Sequence, residues 1–309
     1  MVRRLAAIDL GTNTVRLLVV EASGSQWRTL HEEQRVTRLG EGQATAATLQ
    51  AAPMRRTVDA VAEFALRAEG LGVGDVRIVA TSAVREADNG AEFVDLVRSF
   101  TGREMSVITG EEEARLTLLG VSAGLPALRG SFLLFDVGGG STEFVVAEAG
   151  RPAALVSLRL GVVELAERFM GLGPVDPERD RAMTAEIEAR LAGGLTRDIL
   201  HHGASTLVGS AGTVTTLAAL DLGLDTYDPR RVHGHRLTRA AIGALRARLA
   251  ALSLPERAAL PCLELGRADL IVPGAAICVA AMDTLGFEDL LVSDRGLREG
   301  VLYEILAER

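Results

Sequence analysis

The stretch LLFDVGGGSTEFVVAEA, residues 133–149, decides the fold. It opens as an apolar strand, passes through three consecutive glycines and resumes as a strand. One carboxylate, Asp136, stands where the first strand ends. The same plan recurs near the N-terminus in AAIDLGTNTVRLLVVEA, residues 6–22, which aligns with it without a gap. Asp9 then matches Asp136, Gly11 matches Gly138, Thr14 matches Ser141 and Glu21 matches Glu148. Two copies of one strand–turn–strand unit predict two half-molecules of similar architecture.

Each copy is followed by a third β-rich piece and then by alternating helices and short strands. In the first half these are WRTLHEEQRVTRLGEG, a helix around Val58–Ala68, the strand VRIVAT, a helix from Ala91 to Phe100, the strand MSVIT and a helix from Glu111. In the second half they are AALVSLRLG, helices across Glu164–Leu200, the strand TLVGS, a helix from Thr213, helices between Thr238 and Leu285, the strand DLLVS and a last helix from Leu297. Strands alternating with helical patterns predict α/β domains with mixed sheets flanked by helices. The boundary is expected at GLPALRG, from Gly124 to Gly130, with a cleft between the halves.

The chain has 309 residues, 48% hydrophobic and 24% charged, which is enough for two compact domains. Its net charge of −8 argues against a general nucleic-acid binder. All 33 basic residues are arginine, so Schiff-base, pyridoxal-phosphate and Walker-lysine chemistry are excluded. Cys262 and Cys278 are too few for a disulfide framework and suit a reducing cytoplasm. Asp9 interrupts the first apolar run, so no signal peptide is expected, and Leu270–Met282 is too short to span a bilayer.

The turn of Gly138, Gly139 and Gly140 offers close backbone approach and the positive φ of an anion-binding nest, and Ser141 adds a hydroxyl. Asn13 and Thr14 occupy the first turn as further phosphate contacts. A bare carboxylate would repel phosphate, so Asp136 predicts a divalent cation, Mg²⁺ or Mn²⁺, held by few carboxylates with water and substrate oxygens. Glu143 lies across the turn as a second ligand, with a surface strand glutamate as the competing reading; Asp9 is the counterpart in the first copy. VGSAGTVTTLAAL, from Val208, brings Ser210, Gly212 and Thr213 to a helix entry, where they bind phosphate or simply cap. Arg85, in ATSAVREADNG, is a phosphate contact because its strand ends on the same side as the glycine turns.

TGEEEARL, residues 109–116, combines a capping-box spacing from Thr109 to Glu112 with three successive glutamates. Hydrolysis of a phosphoanhydride needs a positioned base, and spacing alone does not choose among Glu111, Glu112 and Glu113. His201, His202, His233 and His235 have no carboxylate or cysteine at zinc-ligand spacing; His233 reads as a cleft-loop or capping residue. VSDRGLREGVLYEI is a capped final helix in which Asp294–Arg298 is either functional or structural.

The motifs AIDLGTNT, ATSAVREA, GEEEARL, FDVGGGSTE, GSAGTVTTLA and SDRGLREGVL, in that order, resemble the exopolyphosphatase and guanosine pentaphosphate phosphatase family over nearly the whole chain. The resemblance implies two duplicated ribonuclease-H-like, actin-like domains facing across a cleft, residues 1–124 and 125–309. It implies hydrolysis of a terminal phosphoanhydride with Mg²⁺, on inorganic polyphosphate or guanosine pentaphosphate. No nucleic acid or membrane is implied as a partner, and a homodimer is the assembly to test. The family's catalytic glutamate directly precedes Ala-Arg, which is Glu113 here; its glycine-turn aspartate matches Asp136, and the glutamate after GGGST matches Glu143. Longer members continue into helical C-terminal domains, whereas this chain stops at Arg309, so modest processivity on long polyphosphate is expected. An actin-like nucleotide-binding scaffold or sensor without turnover, and a small-molecule kinase, compete with the hydrolase. The Glu113 motif favours the hydrolase, since a scaffold needs no base there.

Overall fold

A computed structural model describes every residue except Met1, Ser25, Arg129, His202, Leu265 and Arg309. The chain divides into two compact units, Met1–Gly120 with Gly296–Arg309, and Val121–Arg295.

The first unit is built on β1 (Val2–Leu10), β2 (Thr14–Ser23), β3 (Gln26–Val36), β4 (Asp75–Ala80) and β5 (Met105–Val107), in the spatial order β3-β2-β1-β4-β5. The first three strands form an antiparallel meander, and β4 and β5 run parallel to β1. Side chains alternate across the strands, so β1 supplies two cores. Ala6, Ile8 and Leu10 pack with Phe64 of the helix Ala51–Gly70 and Phe93 of the helix Gly90–Thr101. Leu5 and Ala7 point the other way, into a cluster with Leu116, Val301, Leu302 and Ile305. Asp9 belongs by alternation to that second face.

The second unit holds β6 (Ser131–Val137), β7 (Thr142–Glu148), β8 (Arg151–Leu158), β9 (Leu207–Ser210), β10 (Arg236–Thr238) and β11 (Asp289–Val292), ordered β10-β11-β9-β6-β7-β8. Without β10 this repeats the order of the first sheet, as the duplicated sequence implies. β10 escapes a reading of local pattern because three residues give no alternation to detect. The apolar run from Leu270 becomes the buried helix Ile271–Leu285. Among the described residues no helix is long and apolar enough to cross a membrane.

The sequence boundary at Gly124–Gly130 leaves the last helix, Leu297–Ala307, in the second domain, whereas it packs with the first unit. The physical reason is the uncovered second face of the first sheet, which Val301, Leu302 and Ile305 fill. Two glycines let this helix lie backbone-to-backbone on the helix Gly110–Gly124. A Cβ at Gly300 would sit 1.9 Å from the Leu116 carbonyl oxygen, and one at Gly120 would sit 2.0 Å from that of Gly296. Gly300→Ala therefore has to push the helices apart and is expected to cost about 1–3 kcal/mol of stability. Urea unfolding checks this, and an unchanged midpoint would contradict the backbone contact.

Candidate active site

In the first unit the carboxyl ends of three parallel strands lie side by side. The Thr81 N–H donates to the Leu10 carbonyl (3.1 Å), and the Ile108 N–H donates to that of Ala80 (3.0 Å). Each strand end carries a candidate residue: Asp9 on β1, Arg85 in the short helix Ser82–Arg85 after β4, and Glu113 in the first helical turn after β5. This is the end at which open α/β sheets bind ligands. The Arg85 Nη1 donates to Glu113 Oε2 at 3.2 Å and to the Ile108 carbonyl at 2.9 Å. The three glutamates thus differ sharply in environment. Glu111 is exposed, Glu112 uses its N–H on the Thr109 hydroxyl at 3.1 Å, and only Glu113 has its carboxylate, 14% exposed, held by an arginine.

The first glycine turn is closed by the Gly11 N–H on the Thr14 carbonyl at 3.0 Å. Asn13 and Thr14 are both buried; the Asn13 side-chain amide N–H donates to Thr14 Oγ1, and the Asn13 backbone carbonyl accepts from the N–H groups of Thr37 and Arg38. Asp9 has Arg16 and Val79 as its neighbours on the flanking strands. The final helix brings Arg298 to the same region, 2.7 Å from Glu32 Oε1 and 3.7 Å from Glu299 Oε1. Burial alone would lower the Arg298 pKa, but the charges of Glu299 and Glu32, and to a lesser degree that of Asp9, raise it on balance, so Arg298 is a locked cation whose field extends to Asp9.

In the second unit a row of four residues crosses four adjacent strands. Asp136 on β6 lies opposite Glu143 on β7 and beside Ser210 on β9; Glu143 in turn lies opposite Ser157 on β8. Directly paired residues share a face, so the two carboxylates are neighbours. The Ser210 hydroxyl donates to Asp136 Oδ2 at 2.6 Å, and that of Ser157 donates to Glu143 Oε1 at 2.7 Å. Glu143 is 2% exposed, which excludes the surface-glutamate reading. The corresponding row of the first unit reads Val79, Asp9, Arg16, Gln34. The duplication extends to the backbone and stops at the chemistry.

The glycine turn departs from the expected nest, since none of Gly138, Gly139 and Gly140 has a positive φ. Its glycines serve close approach instead. The Gly138 and Gly139 carbonyls accept from the N–H groups of Val162 (3.2 Å) and Val163 (2.9 Å), which open the helix Val162–Phe169, and Gly138 N–H donates to the carbonyl of the buried Ser141. A Cβ at Gly161 would lie 2.2 Å from the Gly139 oxygen, so a side chain there would displace the turn. The bracing helix is tied to the helix Pro177–Gly194 by an ion pair. The Arg190 guanidinium, at 2.6 Å, holds the Glu164 carboxyl below its ordinary range against the opposing effect of burial.

Ser210 begins the helix Ala211–Asp221, yet its side chain makes no capping bond, and Ala211 adopts φ +69°. A missing cap costs about 1 kcal/mol and a left-handed alanine about 1–2 kcal/mol. Backbone strain of this kind accumulates at functional sites. Gly212 and Thr213 are half-buried at the helix entry, and the Thr213 side chain packs where Gly274 leaves room for it. His233 bridges two chain segments: its Nδ1 accepts from the Asp294 N–H at 3.2 Å, so Nε2 carries the proton and donates to the Gly124 carbonyl at 2.9 Å. His235 meets Asp221, and His202 lies outside the described residues. Among the described residues no three His, Cys, Asp or Glu side chains gather to hold a metal.

Known proteins supply an independent comparison. The chain is 33% identical over 318 aligned residues to Exopolyphosphatase 2 of Mycobacterium tuberculosis, with 98% of each chain covered. The crystal structure of the Aquifex aeolicus Ppx/GppA family member superimposes with a TM-score of 0.83 at 32% identity, covering 100% of this chain and 99% of that one. An exopolyphosphatase from Cytophaga hutchinsonii superimposes with a TM-score of 0.91 at 27% identity, covering 99% and 98%. The model of the Ppx/GppA phosphatase family matches residues 18–309, and with a full-length relative and solved structures of the family that share the fold, the chain belongs to that family.

Proposed function

We propose that the protein is an exopolyphosphatase, releasing terminal orthophosphate from inorganic polyphosphate by attack of water, with guanosine pentaphosphate as a second substrate. The observation that carries this reading is Glu113, a half-buried carboxylate fixed by Arg85 at the carboxyl end of a parallel strand in a chain of the phosphatase family. In this reading Glu113 accepts a proton from the attacking water. Arg85, Asn13 and Thr14 contact phosphate in the first unit. Gly139, Gly140, Ser141, Gly212 and Thr213 do so in the second, through backbone N–H groups and hydroxyls, while Gly138, whose N–H is held by the Ser141 carbonyl, shapes the turn that presents them.

Asp136 and Glu143 are the residues that would hold a divalent cation, Mg²⁺ or Mn²⁺. The donor set fits: two neighbouring carboxylates, hard oxygen ligands, each with one oxygen fixed by a serine hydroxyl. When bound, such an ion neutralises charge on the phosphoryl oxygens. Asp9 lies opposite Arg16 and within the field of the Arg298 cation, so we assign it to balancing positive charge and not to the metal. Both cysteines are free, and burial pushes the Cys278 thiol up to about 12, which suits a reducing cytoplasm and a structural role.

Purified protein with Mg²⁺ and no acceptor should release orthophosphate from polyphosphate. Parallel assays with guanosine pentaphosphate and ATP rank the substrates. Nucleotide binding with no phosphate released from any of them would favour the scaffold or sensor reading.

A further inference from the structure

We propose that Ser210 and Ser157 are positioning residues that fix the orientation of Asp136 and Glu143 and thereby set the affinity of this carboxylate pair for a divalent cation. The inference rests on the metal role given to those carboxylates above. An ionised carboxylate only accepts hydrogen bonds, so a hydroxyl beside it has to donate. The two O–H···O separations, 2.6 and 2.7 Å, lie at the short end expected when the acceptor is charged. Each serine thus pins one oxygen of one carboxylate, from opposite ends of a row that runs Ser210, Asp136, Glu143, Ser157 across adjacent strands.

Two further observations separate this arrangement from a chance pair of hydrogen bonds. Ser210 opens an eleven-residue helix, the position where a serine hydroxyl ordinarily caps a backbone N–H, and its side chain makes no such bond. The next residue, Ala211, is left-handed, which lets the helix start while Ser210 keeps its place in the strand register opposite Asp136. The local structure therefore departs from its ordinary form twice in the direction that keeps this hydroxyl on the carboxylate. The duplicated first unit provides an internal control. Its row has Val79 at the Ser210 place, Gln34 at the Ser157 place and Arg16 at the Glu143 place. Where the second acid is absent, both hydroxyls are absent too.

Neighbours that orient metal ligands typically contribute 10- to 100-fold in metal affinity. The test is a calorimetric titration of Mn²⁺ into the full chain, stripped of metal and free of polyphosphate, which itself binds cations. Ser157→Ala and Ser210→Ala should each weaken Mn²⁺ binding by roughly 10-fold or more, and Asp136→Ala should abolish it. Ser157→Thr, which keeps the hydroxyl, should restore affinity close to that of the parent chain. Thermal unfolding of each variant without metal identifies any that fails to fold, and the half-buried Ser157 pair of variants decides the question if Ser210→Ala does. Parent-like Mn²⁺ affinity in both alanine variants, with binding lost in Asp136→Ala, would overturn the positioning role and leave the metal site standing. Equal Mn²⁺ binding by the parent chain and Asp136→Ala would overturn the metal site and the inference with it.

Discussion

Glu113→Gln is expected to slow phosphate release by roughly 10²- to 10⁴-fold, the usual contribution of a general base. Glutamine keeps the shape of the side chain and an oxygen that can accept from Arg85, so the local structure survives while proton acceptance is lost. Glu111→Gln and Glu112→Gln make the same chemical change two residues and one residue away. Glu111 is exposed, and the contribution of Glu112 to the helix start comes through its N–H on Thr109, which the substitution leaves intact. Each of those variants should retain activity within a few-fold, because a charge near a helix N-terminus is worth only about 0.3–1 kcal/mol. Single-turnover rates at saturating substrate separate the chemical step from binding. Loss of turnover in Glu112→Gln with retention in Glu113→Gln would show that the base has been misassigned by one position.

Much of this arrangement was legible in the sequence because its signals are local. The two strand–turn–strand units declare themselves by alternation and glycine, and their gapless alignment is enough to put Asp9 and Asp136 at equivalent strand ends. The parallel strands VRIVAT and TLVGS lie beside β1 and β6, as the duplicated pattern requires. What the sequence hides depends on register and long-range packing. Ser157 becomes a partner of Glu143 only through the pairing of β7 with β8, and nothing in VSLRLG distinguishes it from an ordinary strand serine. Arg298 pairs with Glu32 of β3 only because the final helix returns to the first sheet, a packing decision made by Val301, Leu302 and Ile305. The triple glycine misleads for a related reason. Three glycines suggest positive φ when taken alone, whereas their use here is to admit Gly161 and the first N–H groups of the following helix.

Asp136→Asn should cost several kcal/mol of transition-state stabilisation, of the order of 10² to 10⁴ in rate, and should raise the Mg²⁺ concentration needed for half-maximal activity. Asparagine can still accept the Ser210 hydrogen bond through its amide oxygen, so the change falls on charge and not on packing. Asp9→Asn makes the same substitution at the duplicated position and separates two explanations of the loss. If both aspartates served the metal, both variants would shift the Mg²⁺ requirement. The surroundings differ, however: Asp136 has Glu143 as its cross-strand neighbour, whereas Asp9 has Arg16 and lies within the field of the buried Arg298. Removing the Asp9 charge leaves that cation with less compensation, a loss felt by the folded state whether or not metal is bound. Asp9→Asn is therefore expected to lower the unfolding midpoint while leaving the Mg²⁺ titration of the remaining activity where it was, and Asp136→Asn to do the reverse. A shifted Mg²⁺ requirement in Asp9→Asn with an unchanged one in Asp136→Asn would exchange the two roles.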